Sequence, residues 1–154
     1  DNLDRVNTSG LESSVSLSWT QNSVRINANA GYTYTRAVSA GTETDATARP
    51  QLMYIPVNQA DGSVYSETRN FYTLWITGFT GERFITSDNS DHLPWHTLSS
   101  LVCGAKLKLN NNLFDLNFRI GNLFNTMYQS IAYHPQPGRS YNISLSYQFN
   151  KSKK

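Results

Sequence analysis

The sequence predicts an all-β fold, an antiparallel transmembrane β-barrel, and three observations predict it. Several segments alternate apolar and polar residues with a period of two, which marks strands with one oily and one wet face. Charged residues fill only 16% of the 154 positions and aromatics 12%, with a mean hydropathy of −0.48. Low charge made up by Ser, Thr and Asn suits a chain whose outer face meets lipid while its inner face stays wet. Finally, the predicted strands are joined alternately by short and long connections, as in barrels with short periplasmic turns and longer external loops. No run of 18 apolar residues is present, so no transmembrane helix is expected. The chain opens at Asp1 without a secretion signal, as a processed or internal piece would.

Residues 1–10 show no alternation and read as the end of a loop. The first strand is predicted at 10–20, with Val15, Leu17 and Trp19 outward and Ser14, Ser16 and Ser18 inward; Gln21 and Asn22 turn it. The second, 23–36, sets Val24, Ile26, Ala28, Ala30, Tyr32 and Tyr34 against Arg25, Asn27, Asn29, Gly31 and Thr33. Tyr32 and Tyr34 gather at one end of this hairpin and Trp19 at the other, the distribution that aromatic girdles produce. Residues 37–49 are small and acidic, hence a long loop. A weaker strand is expected at 51–58, ended or bulged by Pro56, then a turn at 60–63 and a strand at 67–84 with Phe71, Trp75 and Phe79 outward. A second long loop covers 85–95. In the strand at 97–109, Leu101, Cys103, Ala105, Leu107 and Leu109 face out and Lys106 and Lys108 face in, since lysine toward lipid costs about 2–4 kcal/mol. Asn110 to Asn112 turn into a strand with Phe114, Leu116, Phe118 and Ile120 outward and Asp115, Asn117 and Arg119 inward. A third long loop, 126–139, leads to the last strand, in which Tyr141, Ile143, Leu145, Tyr147 and Phe149 alternate with polar residues. The barrel portion is thus 1–149, followed by a basic tail, 150–154. The phase of turns and loops puts the C-terminus in the periplasm.

Seven is an odd number, and an open sheet in lipid leaves edge groups that cost several kcal/mol each. More strands are therefore expected from elsewhere. Asp4 to Trp19 with Gly10-Leu11-Glu12 at its core, Gly31-Tyr32-Thr33-Tyr34, Leu93-Pro94-Trp95-His96-Thr97-Leu98, Asn122-Leu123-Phe124-Asn125 with Tyr128, and Pro137-Gly138-Arg139 before the terminal aromatic strand resemble, in order, segments of TonB-dependent outer-membrane transporters. The resemblance implies about seven C-terminal strands of a 22-stranded barrel in a Gram-negative outer membrane. It implies as partners the remaining strands and plug domain, TonB through the N-terminal part, membrane lipid and lipopolysaccharide, and a scarce cargo of the iron–siderophore, haem or cobalamin class. The tail beyond Phe149 departs from the family, whose chains commonly stop at that aromatic residue. The alternative is a self-contained eight-stranded barrel with a structural or adhesion role. A soluble β-sandwich binding module is a third reading, opposed by the low charge and large apolar faces.

No enzyme is expected: there is no nucleophile elbow, zinc-protease motif, Walker loop or cysteine pair. No cofactor and no metal are expected either, because His92 and His96, although four apart, flank Pro94 and cannot share a helix face. A net charge of +2 without a basic stripe argues against nucleic acid. His92, Trp95, His96, Tyr133 and His134 are the candidate cargo contacts in the external loops, with Trp95 and Tyr133 equally suited to anchoring at the interface. Arg25, Asn27, Asn29, Lys106, Lys108, Asp115, Asn117 and Arg119 are the candidate polar wall facing the lumen, serving cross-strand pairing, plug contact or passage of cargo.

Overall fold

The structure, a computed structural model, describes residues 6–39, 50–109 and 112–149. The described residues form eleven strands and no helix: β1 Val6–Gln21, β2 Val24–Ser39, β3 Asn58–Glu67, β4 Phe71–Thr80, β5 Arg83–Phe84, β6 His92–Leu93, β7 His96–Leu109, β8 Asn112–Gly121, β9 Gln129–Ile131, β10 His134–Pro135 and β11 Ser140–Gln148. Seven of them build one antiparallel sheet in the order β1-β2-β3-β4-β7-β8-β11, while β5–β6 and β9–β10 are small hairpins inside the long connections.

Register fixes the faces. Val15 lies opposite Ala30, Ala30 opposite Gly62, Gly62 opposite Thr77 and Thr77 opposite Ser99, so all five share one side. Leu101, Ile120 and Tyr141 continue that side across β7, β8 and β11. This is the apolar face, and Phe71, Trp75 and Phe79 lie on it. Of the charged side chains in the seven strands, only Arg36 falls on this face. Glu12, Arg25, Asp61, Glu67, Lys106, Lys108, Asp115 and Arg119 occupy the other. The sheet is also slanted. The register line through Val15 passes Ala30, Gly62, Thr77 and Ser99, then leaves the sheet at its long-connection end before it meets β8, whose pairing with β7 begins only at Leu101 and Ile120.

Four expectations are corrected. The first strand begins at Val6, so residues 6–9 are not loop; they pair with 36–39. No strand runs over 51–58. Gln51 makes one isolated bridge to Val38, and its side chain stands in for a strand: Oε1 accepts from Ala37 N at 3.0 Å and Nε2 donates to Thr35 O and Ile55 O at 3.3 Å. Residues 60–63 are the middle of β3, not a turn. Asp61 folds over Gly31 on the polar face, where a Cβ would come within 2.7 Å of its carboxylate, and Gly62 sits between Ala30 and Thr77 on the apolar face. The strand expected at 67–84 is therefore shorter, β4, and the second short turn is at Thr68–Asn70. There Thr68 N donates to Phe71 O at 2.8 Å and its hydroxyl closes the same loop. The remaining short connections lie at Asn22, whose φ of 54° needs a residue tolerant of the left-handed region, and at 110–111, outside the described residues. The predicted acidic loop likewise falls mainly on 40–49, and the tail on 150–154, both outside the described residues.

Candidate functional site

The long-connection end is where chemistry-bearing side chains gather. Two connections, 81–95 and 122–139, each fold back on themselves as a hairpin. In the first, β5 pairs with β6, and Asp88 tightens the turn by accepting from Ser90 N at 3.1 Å and Ser90 Oγ at 2.8 Å. Those hydrogen bonds, that from the Ser90 hydroxyl first, hold the Asp88 carboxyl below its usual range. In the second, Tyr133 turns the chain with φ 65° while its N donates to Gln129 Oε1 at 2.8 Å.

Side chains then lock the two connections together. Arg83 is buried and reaches across to β9, donating to Gln129 O at 2.8 Å and Ser130 O at 3.5 Å. Burial shifts its guanidinium pKa downward. His96, also buried, stacks on Tyr128 with ring centroids 4.7 Å apart and planes 29° apart. Thr126 Oγ1 donates to Thr97 O at 3.1 Å and Leu123 N to Ser99 O at 2.7 Å. Asn122 and Asn125, both with positive φ, close the base of the connection: Asn122 Oδ1 accepts from Thr126 N at 2.8 Å, and Asn125 Oδ1 accepts from Arg139 N at 2.8 Å. A cleft of about 540 Å³ opens between the two connections, walled by Leu93, Pro94, Met127, Tyr128, Gln129 and Pro135.

No family model and no curated protein matches the chain. A solved structure does. The fold is similar to that of BauA, the ferric preacinetobactin receptor from Acinetobacter baumannii, with a TM-score of 0.69 and 16% identity over 94% of this chain. At that identity the likeness is one of fold. The chain spans only 27% of that receptor's length.

The five candidate cargo contacts do not converge. His92 is exposed on β6, edge-on to Phe84 at 6.4 Å and 3.9 Å from Glu82 Oε2. His96 begins β7 on the polar side and is covered by Tyr128, so the two histidines do not share a site. Among the described residues no group of three metal-ligating side chains occurs. Trp95 is 64% exposed, lies 6.0 Å from Phe79 and extends the apolar face. Tyr133 and His134 occupy the tip of the second hairpin, both exposed, with His134 Nδ1 2.9 Å from Ala132 O. Tyr128, Asn122 and Asn125 stand in sequence motifs that assign them no role, and Arg83 stands in none.

The eight wall candidates share the polar face. Near the short-turn end they form a chain of contacts: Arg25 lies 3.6 Å from Glu67, Lys106 donates to Glu67 at 2.8 Å and sits 5.1 Å from the Tyr72 ring centroid, and Tyr72 Oη donates to Asp115 at 2.9 Å. Tyr72 can lie there because its cross-strand partner is Gly104, where any Cβ would overlap the ring. Asn29 bonds Ser63 at 3.3 Å, and Asn117 accepts from Ser144 at 3.0 Å.

Proposed function

We propose that this sheet is part of the barrel wall of a TonB-dependent outer-membrane receptor that imports a ferric siderophore. The observation that carries the proposal is the unpartnered apolar face. Leu17, Ile143 and Leu145 are 66%, 72% and 67% exposed, and the buried hydrophobic residues among those described are only Ala37, Val38 and Leu93. A single layer of this kind has no core to hold it together in water.

Lipid is the solvent that suits such a face. Aromatics border it at both ends: Trp19, Phe71, Phe114 and Tyr147 toward the short turns, and Tyr32, Tyr34, Phe79, Trp95 and Tyr141 toward the long connections. Between them the face is mostly aliphatic and small, with Trp75 and Phe118 as the aromatic exceptions. The nine residues of β11 extend about 31 Å at roughly 3.4 Å per residue, or about 23 Å when tilted near 40°, close to the roughly 25 Å apolar band of outer-membrane barrels. The slanted register supports the same reading, because closing a sheet requires strands tilted and staggered in this way. The likeness to a siderophore receptor over nearly the whole chain, and the ordered motifs, favour the large transporter over an eight-stranded barrel. That alternative needs one more strand, and the described residues contribute seven to the sheet.

In this reading the long connections face outward and the polar face lines the lumen. The rim cleft, Tyr133, His134 and His92 are exposed to arriving cargo, while Arg83 and the His96–Tyr128 stack hold the rim in shape. Trp95 anchors at the lipid boundary. The test is growth under iron limitation on single ferric siderophores. Deleting the gene should abolish growth on at least one of them, and restoring it should recover growth. Unchanged growth and unchanged radioiron uptake on all of them would sink the transport assignment.

A further inference from the structure

We infer that Tyr133 and the rim cleft walled by its hairpin select an uncharged aromatic ring on the ferric complex; the inference deepens the receptor reading above and rests on it. Backbone strain at Tyr133 carries it. Among the described residues six other than glycine have positive φ. Four of them, Asn22, Asn89, Asn122 and Asn125, are of the type that tolerates the left-handed region. Tyr54 and Tyr133 are not. Tyr54 fastens two segments together, its N donating to Phe84 O at 2.8 Å. Tyr133 fastens only its own hairpin: its N donates to Gln129 Oε1 at 2.8 Å, and its side chain is 87% exposed. At φ 65° the turn would be better served by Asn or Gly. A bulky side chain held there against its backbone preference, and covered by nothing among the described residues, serves something outside the fold.

The cleft shows what kind of group that is. β9 and β10, the strands that Tyr133 joins, supply Gln129 and Pro135 to its wall. Leu93, Pro94, Met127 and Tyr128 extend the lining, and among the described residues no charged side chain takes part. Its volume of about 540 Å³ falls within the range of small-molecule sites. The wall is also preformed: Tyr128 is stacked on His96 and Gln129 O is held by Arg83, so little ordering is left for binding. An anionic group entering the cleft would lose its water without gaining a cation, so the charged oxygens around the iron belong outside it. A cation fares no better, since the connection 122–139 carries no Asp or Glu. What fits is the flat apolar part of a chelator, an aryl ring. The Tyr133 ring offers it an aromatic partner, and Met127, 91% exposed, offers a polarisable thioether.

The test reads radioiron uptake by cells making the protein, supplied separately with ferric complexes of catecholate chelators that carry aryl rings, of aliphatic trihydroxamates and of citrate. Uptake is expected from an aryl-bearing complex. Tyr133→Asn should raise the KM for that complex by about tenfold or more, with the number of receptors at the surface unchanged. Tyr133→Phe, which keeps the ring, should recover most of that loss. Amide hydrogen exchange over residues 129–134 of the purified protein gives a readout that loss of binding alone would not move. In Tyr133→Asn it should slow by about fivefold or more, because the strain is relieved. Uptake confined to the ring-free complexes, a wild-type KM in Tyr133→Asn, a Tyr133→Phe protein as impaired as Tyr133→Asn, or exchange that does not slow would each overturn the inference and leave the transport reading standing. Uptake of none of the complexes by the wild-type protein would overturn both, so the two failures are told apart before any variant is made.

Discussion

The two faces of the sheet are held by different means. On the polar face, stability is written in named pairs: Arg25–Glu67–Lys106, Tyr72–Asp115, Asn117–Ser144. On the apolar face there are aromatic neighbours, such as Phe114 and Tyr147 at 4.5 Å and Phe118 and Tyr141 at 6.2 Å, but among the described residues no second layer buries them. A soluble sheet puts its large side chains against a core and its charges outside. Here the charges form the network and the large side chains lie open, which is the arrangement that the proposed lipid setting suits.

The sharpest way to break this contrast is to put a charge on each face at the same level. Leu116 and Leu145 lie opposite each other in the middle of β8 and β11. Arginine at either should destabilise the folded state by about 2–4 kcal/mol in lipid vesicles. Asn117→Arg, one residue away on the other face, should cost less than about 1 kcal/mol, as read by denaturant unfolding. Equal losses would mean that the Leu116 face does not meet lipid, and a larger loss at Asn117 would mean that the faces are assigned the wrong way round.

Next in size is Gly104→Val. The added side chain would displace Tyr72 and with it the bond to Asp115, at a cost of about 1–3 kcal/mol. Adding Tyr72→Ala should recover part of that loss, since the clash is with the ring; a strictly additive double variant would refute the contact. Glu67→Gln should cost about 1 kcal/mol or less, because its partners Arg25 and Lys106 are 60% and 37% exposed and solvent screens the pairs. The loss should shrink in high salt, and a salt-independent effect would point to packing. Smallest is Ser144→Ala, about 0.5 kcal/mol for one exposed hydrogen bond, measurable in the same unfolding series.

Legibility in the sequence follows the same division. β1, β2, β7, β8 and β11 could be read because, over most of each strand, one parity is apolar and the other polar, with few exceptions such as Arg36 in β2 and Val102 in β7. Residues 50–80 could not. Leu74 and Ile76 lie on the polar face, so both parities of β4 look apolar, and Asp61-Gly62 carries turn-forming residues in the middle of a strand because each fits a local gap. Gln51 escaped because a side chain, which has no period, does the work of a strand there. At the rim, the i, i+4 spacing of His92 and His96 carried no meaning once Pro94 separated β6 from β7. Arg83 had no local signal at all: its acceptors are 46 and 47 residues away in the chain. Long-range contacts to backbone carbonyls leave no pattern in either partner's neighbourhood.

The closed base of the 122–139 connection has a consequence for how this protein can change over evolutionary time. Asn122 and Asn125 bind Thr126 and Arg139, so the two feet of the connection are fastened to each other independently of what lies between. Insertions, deletions or wholesale replacement at the Tyr133 tip need not disturb the register of β8 with β11. If the connection faces outward as proposed, the tip is free to diversify under pressure from phage, antibodies or new nutrients while the wall below stays constant, and it would be a natural place to graft a foreign epitope for display.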